Sequence, residues 1–315
     1  MQTDRHQKCA AQHFGIWAVE PRWFLRAFEA VRAGAWRPMA AEEDGEARPE
    51  QPSLFIVGAD VTRDPEGRIL YMTRPDGIAV LQVTGMLIKG DSKYGGSSTI
   101  RLRHAVRRAK EDPAVQGGIL QIDSPGGTIA GVSDLADDLA DFNREKPLWA
   151  FIEDLGASAA YWLASQAGRI AANRTAEVGS IGVYCVVEDL SGAAEAAGIK
   201  VHVIGSGPYK GLGVEGTPIT DEHLAYLQAS VDDAFAHFTA DVKRGRGRRL
   251  GADRLAESAD GRVFPAADAK ARGLIDAVES LDDTVAALAK EIQAQAGNRR
   301  RRAEVQKLKE NLASR

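Results

Sequence analysis

The chain reads as an α/β protein built on a mostly parallel sheet with helices on its faces. Three observations predict this. Between about residues 76 and 280, short apolar runs alternate with segments of helical periodicity. The apolar runs are continuous and bounded by Gly, Pro or polar clusters, as buried parallel strands require. Hydrophobic residues make up 44% and charged residues 27% of 315, so a substantial core fits one large domain with appendages, or two small ones.

In chain order, Phe14-Gly15-Ile16-Trp17-Ala18-Val19 is an aromatic, amphipathic stretch, followed by Trp23 to Phe28. Pro21 suits the first turn of a helix running to Gly34. With Trp36, these tryptophans fit a small packed cap or docking arm better than a ligand box. Residues 40–52 are acidic, polar and Pro-containing, as a linker is. Residues 1–52 are therefore expected to be an N-terminal helical appendage and linker, 53–285 the main domain, and 286–315 a basic helical or disordered tail. Apolar runs at Leu54–Val57 and Arg68–Tyr71 lead into the domain. Ile78–Val83 is an expected strand and Thr99–Lys110 a helix with apolar residues on one face. Gly118–Ile122 reads as a buried strand ending in a turn, Asp123 to Gly127. A helix over 129–142 and a strand over Leu148–Ile152 follow. The helix expected over Ser158–Ala167 leads to strands over Arg169–Ala172 and Ile181–Val187. A helix over 190–197 and a strand over Val201–Ile204 precede a Gly/Pro-rich loop holding Lys210. Helices near 220–243, 253–257 and 266–272 complete the domain. The segment from 290 carries eight basic and three acidic residues.

The net charge of −4 does not favour a polyanionic partner. Two cysteines, Cys9 and Cys185, cannot build a disulfide framework and fit a reducing compartment. No apolar run reaches the length of a membrane span, and the first residues lack a signal-peptide core. A cytoplasmic protein is the expectation.

In an open parallel sheet, chemistry gathers in loops beyond the carboxyl ends of strands. Ser124–Gly127, Ser158 and Lys210 each follow an expected strand. Ser158 lies in Gly156-Ala157-Ser158-Ala159-Ala160-Tyr161-Trp162, a glycine-led turn opening a small-residue helix. A serine hydroxyl is a weak nucleophile that needs a base within hydrogen-bonding reach. A lysine serves as that base only when neutral, and burial among apolar groups supplies the roughly 4 kcal/mol required. Lys210 has no carboxylate within two residues on either side. Developing negative charge on a peptide carbonyl needs backbone N–H donors, each worth roughly 3 kcal/mol. Ser124-Pro125-Gly126-Gly127 suits one donor, and the Ala159 amide at the helix start suits the other. Ser180, in Val178-Gly179-Ser180-Ile181-Gly182, is placed to orient the lysine.

These residues resemble the signal peptide peptidase/protease IV family of Ser-Lys peptidases over about residues 78–280. The likeness rests on Ile78–Gly85, Ile122–Gly127, Gly156–Trp162, Gly179–Val183, Tyr209–Gly213 and Val263–Asp276. The resemblance implies a crotonase/Clp protease-like spiral of ββα units, with Ser158 as nucleophile, Lys210 as base and Ser180 as auxiliary. It implies oxyanion donation by the amides of Gly127 and Ala159, with no cofactor and no metal. Where the family often has Gly-Gly after the nucleophile, this chain has Ala159-Ala160. The extra N-terminal segment is similar to phage-encoded members that mature heads. That similarity implies scaffold and major capsid proteins as substrates, acting in the host cytoplasm or procapsid interior. Members form rings in which neighbouring subunits can complete a site, so a homo-oligomer is expected.

Other readings stay open. A soluble cellular signal-peptide peptidase would use the same pair. An acyl-CoA hydratase or isomerase would share the oxyanion turn but need acid/base carboxylates. A vestigial assembly factor would keep the fold alone. Taken singly, Ser158 is also a plain helix N-cap, Lys210 a solvated lysine, and Ser124–Gly127 a turn. His202, His223 and His237 lack metal spacing and read as structural or surface residues. Asp134, Asp137, Asp138 and Asp141 read as a solvated helix face. Lys243–Arg249 and Arg299–Arg302 read as a charged turn and tail rather than a nucleic-acid surface.

Overall fold

The computed structural model describes residues 16–21, 58–91 and 96–313. Two sheets organise them. The larger contains β2 (Asp60–Arg63), β3 (Ile69–Thr73), β4 (Ile78–Thr84), β7 (Gly117–Ser124), β9 (Leu148–Ala157), β11 (Glu177–Gly179) and β12 (Val263–Pro265), in the order β12-β11-β9-β7-β4-β3-β2. Strands β10 (Arg169–Ala172) and β13 (Ala277–Val278) branch from β9. The central strands β4, β7, β9 and β11 are parallel. The smaller sheet has the order β1 (Trp17–Val19), β8 (Gly126–Thr128), β5 (Leu87–Ile88) and β6 (Ser97–Ser98).

Each repeat sends one strand into the large sheet and a short second strand into the small one, then returns through a helix. β4, β5 and α1 (Thr99–Glu111) make one unit, and β7, β8 and α2 (Val132–Glu145) the next. This is the ββα spiral that the family resemblance implies. Helix α1 starts where the Ser98 hydroxyl accepts from the Arg101 N–H, and its buried face carries Leu102, Ala105, Val106 and Ala109. Helix α2 buries Val132, Leu135, Leu139 and Phe142 against the same sheet face. α3 (Ala159–Ala164) is buried at every residue, which its wholly apolar run of alanine, aromatic and leucine side chains permits. α4 (Ser191–Ala196) buries none of its residues. α5 (Asp221–Arg246) begins with a capping box between Thr220 and His223. It reaches the core through Phe238, which stacks on Trp162 at 4.6 Å. α6 (Ala252–Ser258) and α7 (Ala266–Arg272) follow, with Gly273 as the left-handed cap of α7.

The opposite sheet face, with Ile78, Val80, Ile119, Trp149 and Phe151, is covered by Val285 and Leu288 of α8 (Leu281–Ala313). The tail expected from residue 286 is thus the outer portion of a helix whose first turns belong to the core. Leu288 is fully buried there.

The N-terminal expectation needs correction at Trp17–Val19. This stretch is a buried strand of the small sheet and does not belong to a detached appendage, because its alternate backbone groups find a partner in β8. The helix to Gly34 past Pro21, the linker 40–52 and the run Leu54–Val57 lie outside the described residues.

Candidate active site

The large sheet's carboxyl edge places Ser158. Strand β9 runs to Ala157 and α3 begins at Ala159, so Ser158 makes the whole corner, with φ 55° and ψ −121°. Side chains rarely adopt such a backbone, and among the described residues only Ser158 and Ser180 are non-glycines with positive φ. Strain held at two serines on neighbouring strand ends marks a site the surrounding fold constrains. Ser158 stands at the helix N-cap position, but its side chain makes no capping bond; Oγ instead donates to the Gly182 carbonyl at 3.4 Å. The corner is pinned through the backbone: the Ser158 N–H donates to the Gly179 carbonyl at 2.8 Å, and the Trp162 N–H to the Ser158 carbonyl at 2.9 Å. The Ser180 N–H donates to the Arg262 carbonyl at 2.7 Å. Both serines are buried.

Ser124–Gly127, expected as a turn, is instead the end of β7 followed by β8. The Ser124 hydroxyl braces the join, donating to the Gly85 carbonyl at 2.6 Å and accepting from the Gly126 N–H at 3.2 Å. Gly126, at φ 91°, is pressed between β1 and the serine corner. A Cβ there would lie 2.3 Å from the Ala18 carbonyl oxygen and 2.9 Å from both the Ala157 oxygen and the Ala159 nitrogen. Ser158, Ala159, Ser180 and the Gly126–Gly127 strand are therefore assembled in one place. A Cβ on Gly127 would fall 1.9 Å from the Leu87 carbonyl oxygen, closer than any real contact. Gly127→Ala must push the β5 and β8 backbones apart, at a typical overpacking cost of about 1–3 kcal/mol. A fall in the denaturant midpoint is expected; an unchanged midpoint would refute this packing.

Lys210 lies in an exposed segment. The strand expected over Val201–Ile204 does not form: these residues have no sheet edge to pair with, and residues 195–210 are all exposed. The Lys210 N–H donates to the Gly207 carbonyl at 3.1 Å, and no hydrogen bond among the described residues joins Lys210 to Ser158. Ile181–Val187 is likewise not a strand, because the positive φ at Ser180 turns the chain. Only Tyr184 makes a bridge there, to Trp17. The ladder that precedes Ser180, Glu177–Gly179, is too short to show a period in sequence.

Several charged residues outside the serine corner tie elements together. Arg103 and Arg107 pair with Asp138 at 2.8 and 3.0 Å, Arg103 also with Asp134 at 2.6 Å, and Arg244 with Asp137 at 2.9 Å. Asp138 is thus held between two arginines of α1, while Asp134 and Asp137 remain exposed, as the solvated-face reading has them. Arg246, expected in a charged surface turn, is 1% exposed and grips Asp276 and the Gly273 carbonyl. No group of histidine, cysteine and acidic residues among the described residues could hold a metal ion. His202 is exposed, outside any strand. No described helix is long and apolar enough to cross a membrane.

A ββα spiral with a strained serine corner beside a glycine strand is an α/β architecture whose candidate site lies at the strand ends. Within that class the chain belongs to peptidase family S49, whose profile matches residues 140–295. It is 31% identical to a candidate protease of Synechocystis sp. over 206 residues, covering 65% of this chain and 71% of that one. It is 31% identical to capsid assembly protease C of Escherichia phage lambda over 217 residues, 67% of this chain and 48% of the relative. A candidate enoyl-CoA hydratase/isomerase structure from Acinetobacter baumannii aligns with TM-score 0.43 at 13% identity, over 75% of this chain and 81% of that one. The chain spans about half the length, or less, of the first curated relatives it matches, from 56% down to 32%.

Proposed function

We propose that this chain is a serine endopeptidase using a Ser-Lys pair through an acyl-enzyme. The observation that carries the reading is the strained Ser158, freed from capping and set beside the Gly126–Gly127 strand. In this reading neutral Lys210 takes the Ser158 proton as Oγ attacks a peptide carbonyl, and the amides of Gly127 and Ala159 hold the oxyanion. The lysine then gives its proton to the leaving amine. Water, deprotonated by the same amine, releases the acyl group and regenerates Ser158. Ser180 orients the lysine.

Lys210 reaches the serine of a second copy. The arm around it exposes Ile199, Val201, Val203, Ile204 and Tyr209, with Ile204 at 99%. A homo-oligomer would cover that arm and bring an uncharged amine to each corner.

The substrates we propose are scaffold and capsid proteins during phage head assembly, supported by the similarity to the phage lambda capsid protease. A cellular peptidase role is favoured instead by the similarity to the Synechocystis relative. Co-expression with phage scaffold and major capsid proteins is expected to yield shortened fragments by intact mass, absent with Ser158→Ala. Identical fragments from both proteins would sink the peptidase reading. Fragments only from unrelated membrane-protein peptides would favour the cellular role.

A further inference from the structure

Strand β1 lies in the groove that a peptide substrate would need. Its three residues are buried, with Ala18 at 0% exposure. On one side it runs antiparallel to β8 in the register Trp17–Thr128, Ala18–Gly127 and Val19–Gly126. The Glu20 N–H donates to the Pro125 carbonyl at 2.8 Å and the Ile129 N–H to the Ile16 carbonyl at 3.4 Å. Antiparallel ladders alternate, so between these two bonds Ala18–Gly127 is a hydrogen-bonded pair. The Gly127 N–H therefore donates to the Ala18 carbonyl. On the other side, Trp17 exchanges both backbone bonds with Tyr184, at 2.8 and 2.9 Å. Tyr184 lies two residues beyond Gly182, whose carbonyl accepts from the Ser158 hydroxyl. The Ala18 carbonyl also crowds Gly126 together with the Ala159 nitrogen.

We infer that β1 is a resident substrate mimic: the chain's own segment Ile16–Glu20 fills the peptide groove between β8 and Tyr184, and substrate enters by replacing it. This rests on the reading of Ser158 and Gly127 as peptidase machinery. An extended polypeptide bonded alternately on two sides is how a strand is recognised by an open sheet edge. A substrate carbonyl cannot reach the Gly127 amide while Ala18 holds it. The groove also admits only a small side chain where Ala18 sits, beside Gly126 and the serine corner.

The test locks β1 in place and measures binding without turnover. The full chain carries Ser158→Ala, Cys9→Ser and Cys185→Ser, with Trp17→Cys and Thr128→Cys as the lock. That pair is the non-hydrogen-bonded type, whose close Cα spacing suits a disulfide. The probe is a fluorescein-labelled peptide with the sequence of residues 14–21. Binding is expected to weaken at least tenfold on oxidation and recover on reduction. Equal binding in the two states, absence of binding included, overturns the inference. If the cysteine pair prevents folding, Ala18→Pro removes one ladder N–H in the Ser158→Ala chain and is expected to tighten peptide binding at least tenfold; unchanged binding overturns the inference equally. Hydrolysis is scored separately with Ser158 intact. Lock-dependent binding without any hydrolysis would strike the peptidase reading and leave the β1 assignment standing.

Discussion

Mixing two inactive variants is expected to restore peptide cleavage. Ser158→Ala and Lys210→Ala should each lower the rate by about 10⁴-fold or more, and combining them in one chain should cost little extra, because groups acting as a unit are strongly non-additive. If each site takes its serine from one copy and its lysine from another, co-refolding equal amounts of the two variants rebuilds about one quarter of the sites in full. The contrast is between background and a substantial fraction of wild-type activity. The prediction follows from two placements: Ser158 is buried in the sheet edge, while Lys210 stands in an arm exposed throughout residues 195–210. No recovery on mixing, with wild-type chains active under the same conditions, would mean that each lysine serves its own serine.

Replacing Arg246 is expected to cost the fold several kilocalories. Its side chain is completely buried, paired to Asp276 at 2.9 Å and bonded to the Gly273 carbonyl at 2.9 Å. Asp276 also accepts from the Ile170 N–H at 2.8 Å, so one carboxylate ties α5 to β10 and to the turn before β13. The Tyr161 hydroxyl of the serine helix donates to the neighbouring Leu274 carbonyl at 2.8 Å, which extends the clasp to α3. Burial by itself would raise the Asp276 carboxyl, but the Arg246 hydrogen bonds and charge, the Ile170 amide and Arg249 outweigh it and hold it below the ordinary value. Arg246→Met keeps the bulk and strands the carboxylate, an expected loss of about 3–5 kcal/mol in denaturant unfolding. A loss under about 1 kcal/mol would refute the role of the pair. The sign of the pH dependence follows. A depressed folded pKa stabilises above the unfolded value near 3.9, and that stabilisation drains away as pH falls through the lower folded value. The gap between wild type and Arg246→Met should therefore be constant near neutrality and close in acid.

Much of the spiral is legible in the sequence because its signals are local. The Ile78–Val83 and Leu148–Ile152 runs appear as β4 and the first half of β9, and the 3.6-residue pattern over Thr99–Lys110 appears as α1. Ser158 is legible for the same reason: glycine and alanines around a serine between a strand and a helix describe a tight corner from neighbouring residues alone. The strand expected over Val201–Ile204 shows the limit. Its residue types favour a strand, but a strand exists only with a partner edge, and none meets it among the described residues. Conversely, Gly126–Thr128 looks like a turn in sequence and is a strand because β1 and β5 flank it. Arg246 carries no signal of burial, since its partner Asp276 is thirty residues away.

Neighbouring residues were enough to specify the alternation of strands and helices, the serine corner and the glycine pair, since each depends on side chains within a few positions of one another. Three features needed the folded chain: Trp17–Val19 lies against the glycine strand, Ser180 shares the backbone strain of Ser158, and Lys210 stands in an exposed arm. They depend on which distant backbone groups satisfy one another's hydrogen bonds, and no local pattern of side chains encodes that pairing.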